Sequence, residues 1–170
     1  MPKLRHIDGT GTARFVTFTC YRRHRYLNNP IVREFVIAGL SNLRSQLEIK
    51  ILGYVIMPEH IHLVLLPPDE IELGIIIGQL KGRIARKIIS DSNDKSTVLN
   101  RSDGSPAIWQ RRCYDHNCRL SEVVIEKINY CHKNPVIRGL VNSTDEWPWS
   151  SSRWYSGKGE IMLEIDGYEM

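Results

Sequence analysis

The sequence has no apolar run approaching the ~18 residues that a membrane-crossing helix needs, which argues against an integral membrane protein. The first residues also lack the charged-then-apolar pattern of a secretory leader. The four cysteines, at positions 20, 113, 118 and 131, form no CxxC pair. A disulfide framework and a zinc ribbon are therefore not expected, and the compartment reads as reducing and cytoplasmic. Charge is not strongly one-sided either. Twenty-three Lys and Arg against 19 Asp and Glu leave +4, with a pI near 8.9, which permits a polyanionic partner without demanding one. Low-complexity tracts and internal repeats are missing, and 42% apolar with 25% charged residues is the composition of a folded domain rather than a disordered or fibrous chain. At 170 residues, one domain with an appended tail is expected: residues 1–145 as the body and 146–170 as a C-terminal segment that packs on it or extends it.

What is present is a pair of histidines, His60 and His62, separated by Ile61 in the run Tyr54-Val-Ile-Met-Pro-Glu-His-Ile-His-Leu-Val-Leu-Leu66. Residues two apart on a strand share a face, so the imidazoles project together while Ile61 turns to the core. The bland alternative is two solvated histidines on an ordinary strand. A buried pair would need a partner, since an unpartnered imidazole costs about 1–3 kcal/mol, and a divalent metal is the economical one.

Around that strand the patterning alternates. Arg14–Tyr21 is rich in β-branched and aromatic residues and ends at the basic cluster Arg22, Arg23, His24 and Arg25. Val32, Phe35, Val36, Leu40, Leu43 and Leu47 recur at helical spacing. Glu48–Val55 reads as a strand joined through Met57-Pro58-Glu59 to the histidine strand, Ile61–Leu66. Ile77, Leu80, Ile84 and Ile88 mark a second helix whose other faces carry Lys81, Arg83, Arg86 and Lys87. Residues 91–106 are polar and read as a flexible loop, 107–119 as a further strand or hairpin, and Ser121 starts a helix that Asn134-Pro135 is expected to stop. Strand, helix, strand, strand, helix, strand, helix predicts an α+β fold: a ferredoxin-like antiparallel sheet with helices packed on one face and the histidines on a central strand.

Tyr130 and Asn134 lie four apart on the last helix, so phenol and carboxamide share one face, with Lys127 and Lys133 nearby. A tyrosine near a helix end is commonly a packing residue. Attack on a phosphodiester by a phenol of pKa near 10, however, needs a cation to polarise the phosphate, and two neutral imidazoles plus one oxygen ligand leave coordination positions open for it. Asn134 can supply that oxygen.

Four blocks in order carry a resemblance: Met57-Pro-Glu-His-Ile-His-Leu-Val64, Ile108-Trp-Gln-Arg-Arg-Cys-Tyr-Asp-His116, Tyr130-Cys-His-Lys-Asn-Pro-Val136 with Arg138-Gly-Leu-Val141, and Trp147-Pro-Trp-Ser-Ser151. Together they resemble the REP-associated tyrosine transposases, a branch of the single-tyrosine HUH transposases. The resemblance implies a catalytic domain that nicks and rejoins single-stranded DNA, often at hairpins. It also implies His60, His62 and Asn134 as metal ligands and Tyr130 as a nucleophile that forms a 5′-phosphotyrosine. Related insertion-sequence enzymes carry Gln where this chain has the shorter Asn134. No GxxxxGK[ST] phosphate loop is present, consistent with an ATP-independent exchange. Mg²⁺ or Mn²⁺ suits phosphate oxygens, and two imidazoles would also accept zinc.

Arg22, Arg23, Arg25, Arg83, Arg86, Lys87, Arg111 and Arg112 are candidates for DNA phosphates, against the plain alternative of a solvated face. Tyr114, ringed by Arg111, Arg112 and His116, is a rival nucleophile, or else a packing or base-stacking residue. Trp147 and Trp149 seal the sheet or stack on bases. The expected partner is hairpin-bearing single-stranded DNA, with the chain a monomer or homodimer. The competing function class is a non-catalytic ferredoxin-like nucleic-acid-binding protein, although the aromatic RNP pattern of such modules is missing.

Overall fold

A computed structural model describes residues 11–93 and 95–170; residues 1–10, part of the expected 1–145 body, and residue 94 lie outside the described residues. Among the described residues eight strands and α-helices follow one another: β1 (Ala13–Thr19), α1 (Pro30–Leu47), β2 (Lys50–Ile56), β3 (His60–Leu66), α2 (Leu73–Asp91), β4 (Tyr114–Cys118), α3 (Ser121–Ile137) and the short α4 (Ser152–Ser156). The strands form one antiparallel sheet in the order β2-β3-β1-β4, which is the expected ferredoxin-like arrangement with the histidine strand inside.

Period-two alternation divides the sheet's two faces. Val16, Phe18, Ile61, Leu63 and Leu65 point to one side, where α1 and α2 lie together and supply Val36, Leu40, Leu43, Ile76, Leu80 and Ile84. Each fully buried aliphatic side chain contributes about 1.5–3 kcal/mol, so this face holds most of the burial energy. Pro30 at the first turn of α1 and the Asn29 side chain, which accepts from the Ile31 amide at 3.0 Å, explain where that helix begins. Phe15, Val55 and Val64 point to the opposite side, where α3 adds a second cover through Val124, Ile128 and Cys131. Gly53 permits the close approach of α3: a Cβ there would sit 3.1 Å from Ile128 Cγ1.

Three expected boundaries differ. Pro135 does not stop α3, which continues to Ile137. Proline withdraws only its own N–H, and the last turn recovers its bonds when Arg138 N–H donates to Asn134 O at 3.0 Å and Leu140 N–H to Pro135 O at 2.9 Å. In the stretch 107–119 only Tyr114–Cys118 is a strand; before it, Trp109 forms a single bridge to Cys20 and donates its indole N–H to Lys81 O at 2.9 Å. The polar stretch 91–106 is partly tied down, with a 3₁₀ turn at Lys95–Thr97, Val98 buried, and Asn100 bridged to Pro106.

β2 is an edge strand, and the C-terminal segment covers its open side. Tyr54 N–H donates to Ser151 Oγ (3.0 Å), Ile56 N–H to Trp149 O (2.8 Å) and Ile51 N–H to an Asp166 carboxylate oxygen (2.9 Å). These bonds remove the edge that would otherwise be free to pair. Among the described residues no helix is long and apolar enough to cross a membrane.

Candidate functional site

The side chains of β1 and β3 that face α3 converge at one end of the sheet. Thr17 pairs with His62 and Thr19 with His60 across the two central strands, and a cleft of about 270 Å³ opens between them and α3. Thr17, Thr19, Arg23, His60, His62, Tyr130, Asn134, Ile137 and Arg138 line it. The α3 contribution is a helical stripe at positions 130, 134, 137 and 138, so the i, i+4 spacing of Tyr130 and Asn134 does put them on one side of the helix, the side that faces the histidines.

Both imidazoles are 5% exposed. Their Nε2 atoms stand 3.0 Å apart, while the outer ring nitrogens are engaged: His60 Nδ1 donates to Glu59 Oε1 at 3.1 Å, and His62 Nδ1 lies 2.6 Å from Thr17 Oγ1. Donation to Glu59 leaves the His60 Nε2 lone pair pointing into the cleft. Burial lowers the titration of both rings, and for His62 burial plus the neighbouring His60 charge takes it down to about 3. Both rings are therefore neutral across the physiological range, the state in which imidazole binds metal.

Asn134 Nδ2 lies 3.4 Å from His62 Nε2, and its Oδ1 is buried without a hydrogen-bond partner. Two close ring nitrogens and an orphaned amide oxygen are a donor set that a cation would satisfy. Two ligands about 2.1 Å from an octahedral ion stand about 3 Å apart, the spacing held between the two Nε2 atoms. His60, His62 and Asn134 could thus hold a divalent ion. Among the described residues there is no cluster of three His, Cys, Asp or Glu.

Glu59 organises the rim. It is 3% exposed, and its Oε1 accepts from Arg23 Nη2 (3.0 Å), Arg138 Nη1 (2.8 Å) and His60 Nδ1. Burial alone would raise its pKa, but the Arg138 hydrogen bond and the charges of His60 and Arg138 outweigh burial and hold the carboxyl below its usual value. Arg22 and Arg23 both sit at positive φ, 51° and 55°, and this left-handed turn after β1 brings Arg23 back over Glu59. Sequence reasoning placed Glu59 and Arg138 inside motifs without assigning either a task. A buried acid next to the histidine pair was the available signal.

Tyr130 is 43% exposed, with its ring centroid 5.1 Å from that of His62 and 5.9 Å from that of Phe15. The candidate DNA contacts divide. Arg22, Arg23 and Arg25 follow the cleft end of β1, and Arg111 and Arg112 follow Gln110, whose amide donates to Thr19 O at 2.9 Å, so they lie at the same end of the sheet. Arg83, Arg86 and Lys87 belong to α2, on the other face. Arg83 donates to Gln46 at 3.3 Å, and Lys87 pairs with Asp91 at 2.7 Å and lies over the Phe35 ring. Arg25 and Lys87 share a separate hollow of about 370 Å³. Trp147 and Trp149 take the sealing role: both lie against the Arg33 guanidinium, at 4.9 and 5.6 Å from their ring centroids, and Trp147 donates to Ile56 O at 3.1 Å.

Comparison with known proteins bears on the family and the fold. A Haemophilus influenzae protein named "Putative REP-associated tyrosine transposase" is 33% identical over 99 residues, which are 56% of this chain and 54% of that protein, so the match spans about half of the relative's length. A solved structure of a REP-associated tyrosine transposase bound to a REP hairpin superposes with a TM-score of 0.70 at 19% identity, covering 100% of this chain and 98% of that one. A putative transposase from Deinococcus radiodurans R1 superposes at 0.51, also at 19% identity, over 79% of this chain and 97% of that one. At these identities the two superpositions bear on the fold. The sequence model of the family described as Transposase IS200 like matches residues 10–128, a span that holds the histidine strand and ends just before Tyr130. With that match extending over most of the sequence, the chain belongs to the IS200-like transposase family.

Proposed function

We propose that this chain nicks and rejoins single-stranded DNA at hairpins by transposase-type strand transfer, with Tyr130 as the nucleophile. The observation that carries this reading is the shared cleft, in which a half-exposed phenol on α3 stands one helical turn from Asn134 and beside His62. In the reaction the Tyr130 oxygen bonds to the scissile phosphorus and the bond to the 3′ oxygen breaks. The phenolic proton is released to water and the departing 3′ oxygen takes one up, leaving a 5′-phosphotyrosine and a free 3′-hydroxyl. Rejoining is the reverse, so the phosphodiester energy is kept in the covalent link. His60, His62 and Asn134 would hold a divalent Mg or Mn ion, whose charge polarises the phosphate and offsets the charge that develops on it.

Glu59 orients His60 and keeps Arg23 and Arg138 at the mouth, where their side chains are 60% and 40% exposed and can meet incoming phosphate. Arg22, Arg111 and Arg112 extend that basic rim, whereas Arg83, Arg86 and Lys87 lie on α2, where Arg25 shares the hollow with Lys87, and would touch DNA that wraps that side. The REP hairpin bound by the structural relative supports a hairpin as the DNA partner. In the same reading residues 1–145 form the catalytic domain and 146–170 a tail that covers the β2 edge.

Incubation with a tailed DNA hairpin and Mn²⁺, followed by a denaturing gel, tests the proposal. The native chain forms a covalent protein–DNA adduct and Tyr130→Phe forms none while still binding the hairpin. Tight binding by the native chain with no adduct under any divalent ion would instead make it a non-catalytic nucleic-acid-binding protein.

A further inference from the structure

Tyr114 is the rival tyrosine of the sequence, and its setting differs from that of every other large aromatic side chain outside the cleft. It opens β4 opposite Thr17, which on its other side pairs with His62, so His62, Thr17 and Tyr114 form one row across the α3 face of the sheet. The residue is 45% exposed and its ring meets Phe15 edge-on, with centroids 6.3 Å apart. Phe15 meets Tyr130 edge-on from another direction and stacks on His62 at 5.4 Å. Lys127 on α3 holds its ammonium 5.3 Å from the centroid of the same Phe15 ring. Two half-exposed phenols and Lys127, whose ammonium also pairs with Glu126 Oε1 at 3.1 Å, therefore gather around one buried ring beside the cleft.

The strand beneath Tyr114 is firmly held although it is a five-residue edge strand. Asp115, the next residue, points to the opposite face and accepts from Arg14 Nε at 3.0 Å, with a second contact to Arg14 Nη2, and the two side chains are 2% and 3% exposed. A buried two-pronged ion pair of this kind resists fraying. Exposing so large a ring on a rigid support forgoes burial that the side chain would otherwise gain, and the exposed part can be covered by a partner.

We infer that Tyr114 is a stacking platform for an unpaired nucleobase adjoining the scissile phosphate, with Lys127 beside it for the intervening backbone. The place of that base beside a scissile phosphate rests on the strand-transfer reading; the platform itself rests on the geometry. Every base has a π face, so the platform positions a nucleotide without selecting its identity. Tyr114 thus acts on placement of the strand, and Tyr130 on its phosphate.

Tailed hairpins with 2-aminopurine, or an abasic residue, walked through the unpaired tail test this in the full chain carrying Tyr130→Phe, where no cleavage intervenes. Fluorescence is quenched at one tail position. Adding Tyr114→Leu or Tyr114→Thr abolishes that quench and weakens binding about tenfold, Tyr114→Phe preserves both, and the abasic tail binds the Tyr114 variants and their parent alike. Thermal melts confirm that at least one ring-less variant is folded, and threonine keeps the strand propensity. The inference is overturned if no tail position is quenched, if neither ring-less variant loses affinity, or if intact and abasic tails lose it equally. Quenching by a chain whose native form makes no adduct would uphold the platform while refuting strand transfer.

Discussion

Acid should unfold this protein unusually early, because its buried histidines are held neutral. His62 titrates at about 3 and His132, buried and 2.8 Å from Ser151 Oγ, at about 4, both through desolvation first. Once unfolded, each ring recovers a pKa near 6.5. The folded values are lowered, so below pH 6.5 the unfolded chain binds protons that the folded chain refuses; stability is intact above pH 6.5 and is lost as pH falls toward the folded values. Near pH 5 each of the two rings costs about 2 kcal/mol, about 4 kcal/mol together, against a total of about 5–15 kcal/mol for a typical domain. His60, shifted in the same direction by burial, adds to the loss. Urea titrations between pH 7.5 and 5, followed by circular dichroism in the presence of chelator, measure this directly. His132→Gln, which can keep a hydrogen bond to Ser151, should flatten the stability-against-pH slope by about 1.2 kcal/mol per pH unit between pH 6 and 5, about 2 kcal/mol over the whole window. An unchanged slope, or an imidazole resonance of His132 that titrates near 6.5 in the folded protein, would refute the reasoning.

His60→Ala and His62→Ala should each abolish adduct formation while leaving hairpin affinity within about threefold, since affinity comes from distributed phosphate contacts; gel shifts and denaturing gels on the same samples check both halves. Glu59→Gln should cost about 1–2 kcal/mol in urea unfolding, less than a fully buried pair would lose because Arg23 and Arg138 are largely exposed, and it should slow strand transfer through a less firmly held His60. Gly167→Ala should lower the melting temperature by the equivalent of about 1–3 kcal/mol, because φ is +70° and the new Cβ would lie 2.3 Å from Trp154 Cη2. An unaltered melting curve would mean that the tail can leave the β2 edge without loss.

Periodicity in the sequence was enough for the order of strands and helices and the pairing of Tyr130 with Asn134, because each of these depends on residues close in the chain. Alternation by two put His60 and His62 on one face whatever the rest of the fold did. The i, i+4 rule put phenol and amide together in the same way. Even the misjudged end of α3 was a local matter: proline removes one donor, and whether the helix resumes depends on the acceptors left in the next turn.

Tertiary structure alone decided what lies opposite what. Nothing within a few residues of Arg83 or Lys87 says that α2 lies on the face away from the cleft; that follows from which side of the sheet each crossover takes. Nor does the sequence say that Glu59, one position before the histidine strand, collects Arg23 from 36 residues earlier and Arg138 from 79 residues later onto one carboxylate oxygen. The two tyrosines look alike as motifs, yet one reaches the cleft on a helix and the other stands in a row with His62 on the sheet. Local spacing sets the direction of a side chain relative to its own element, whereas its partners are set by how elements pack, and that is governed by the summed burial of side chains distant in sequence.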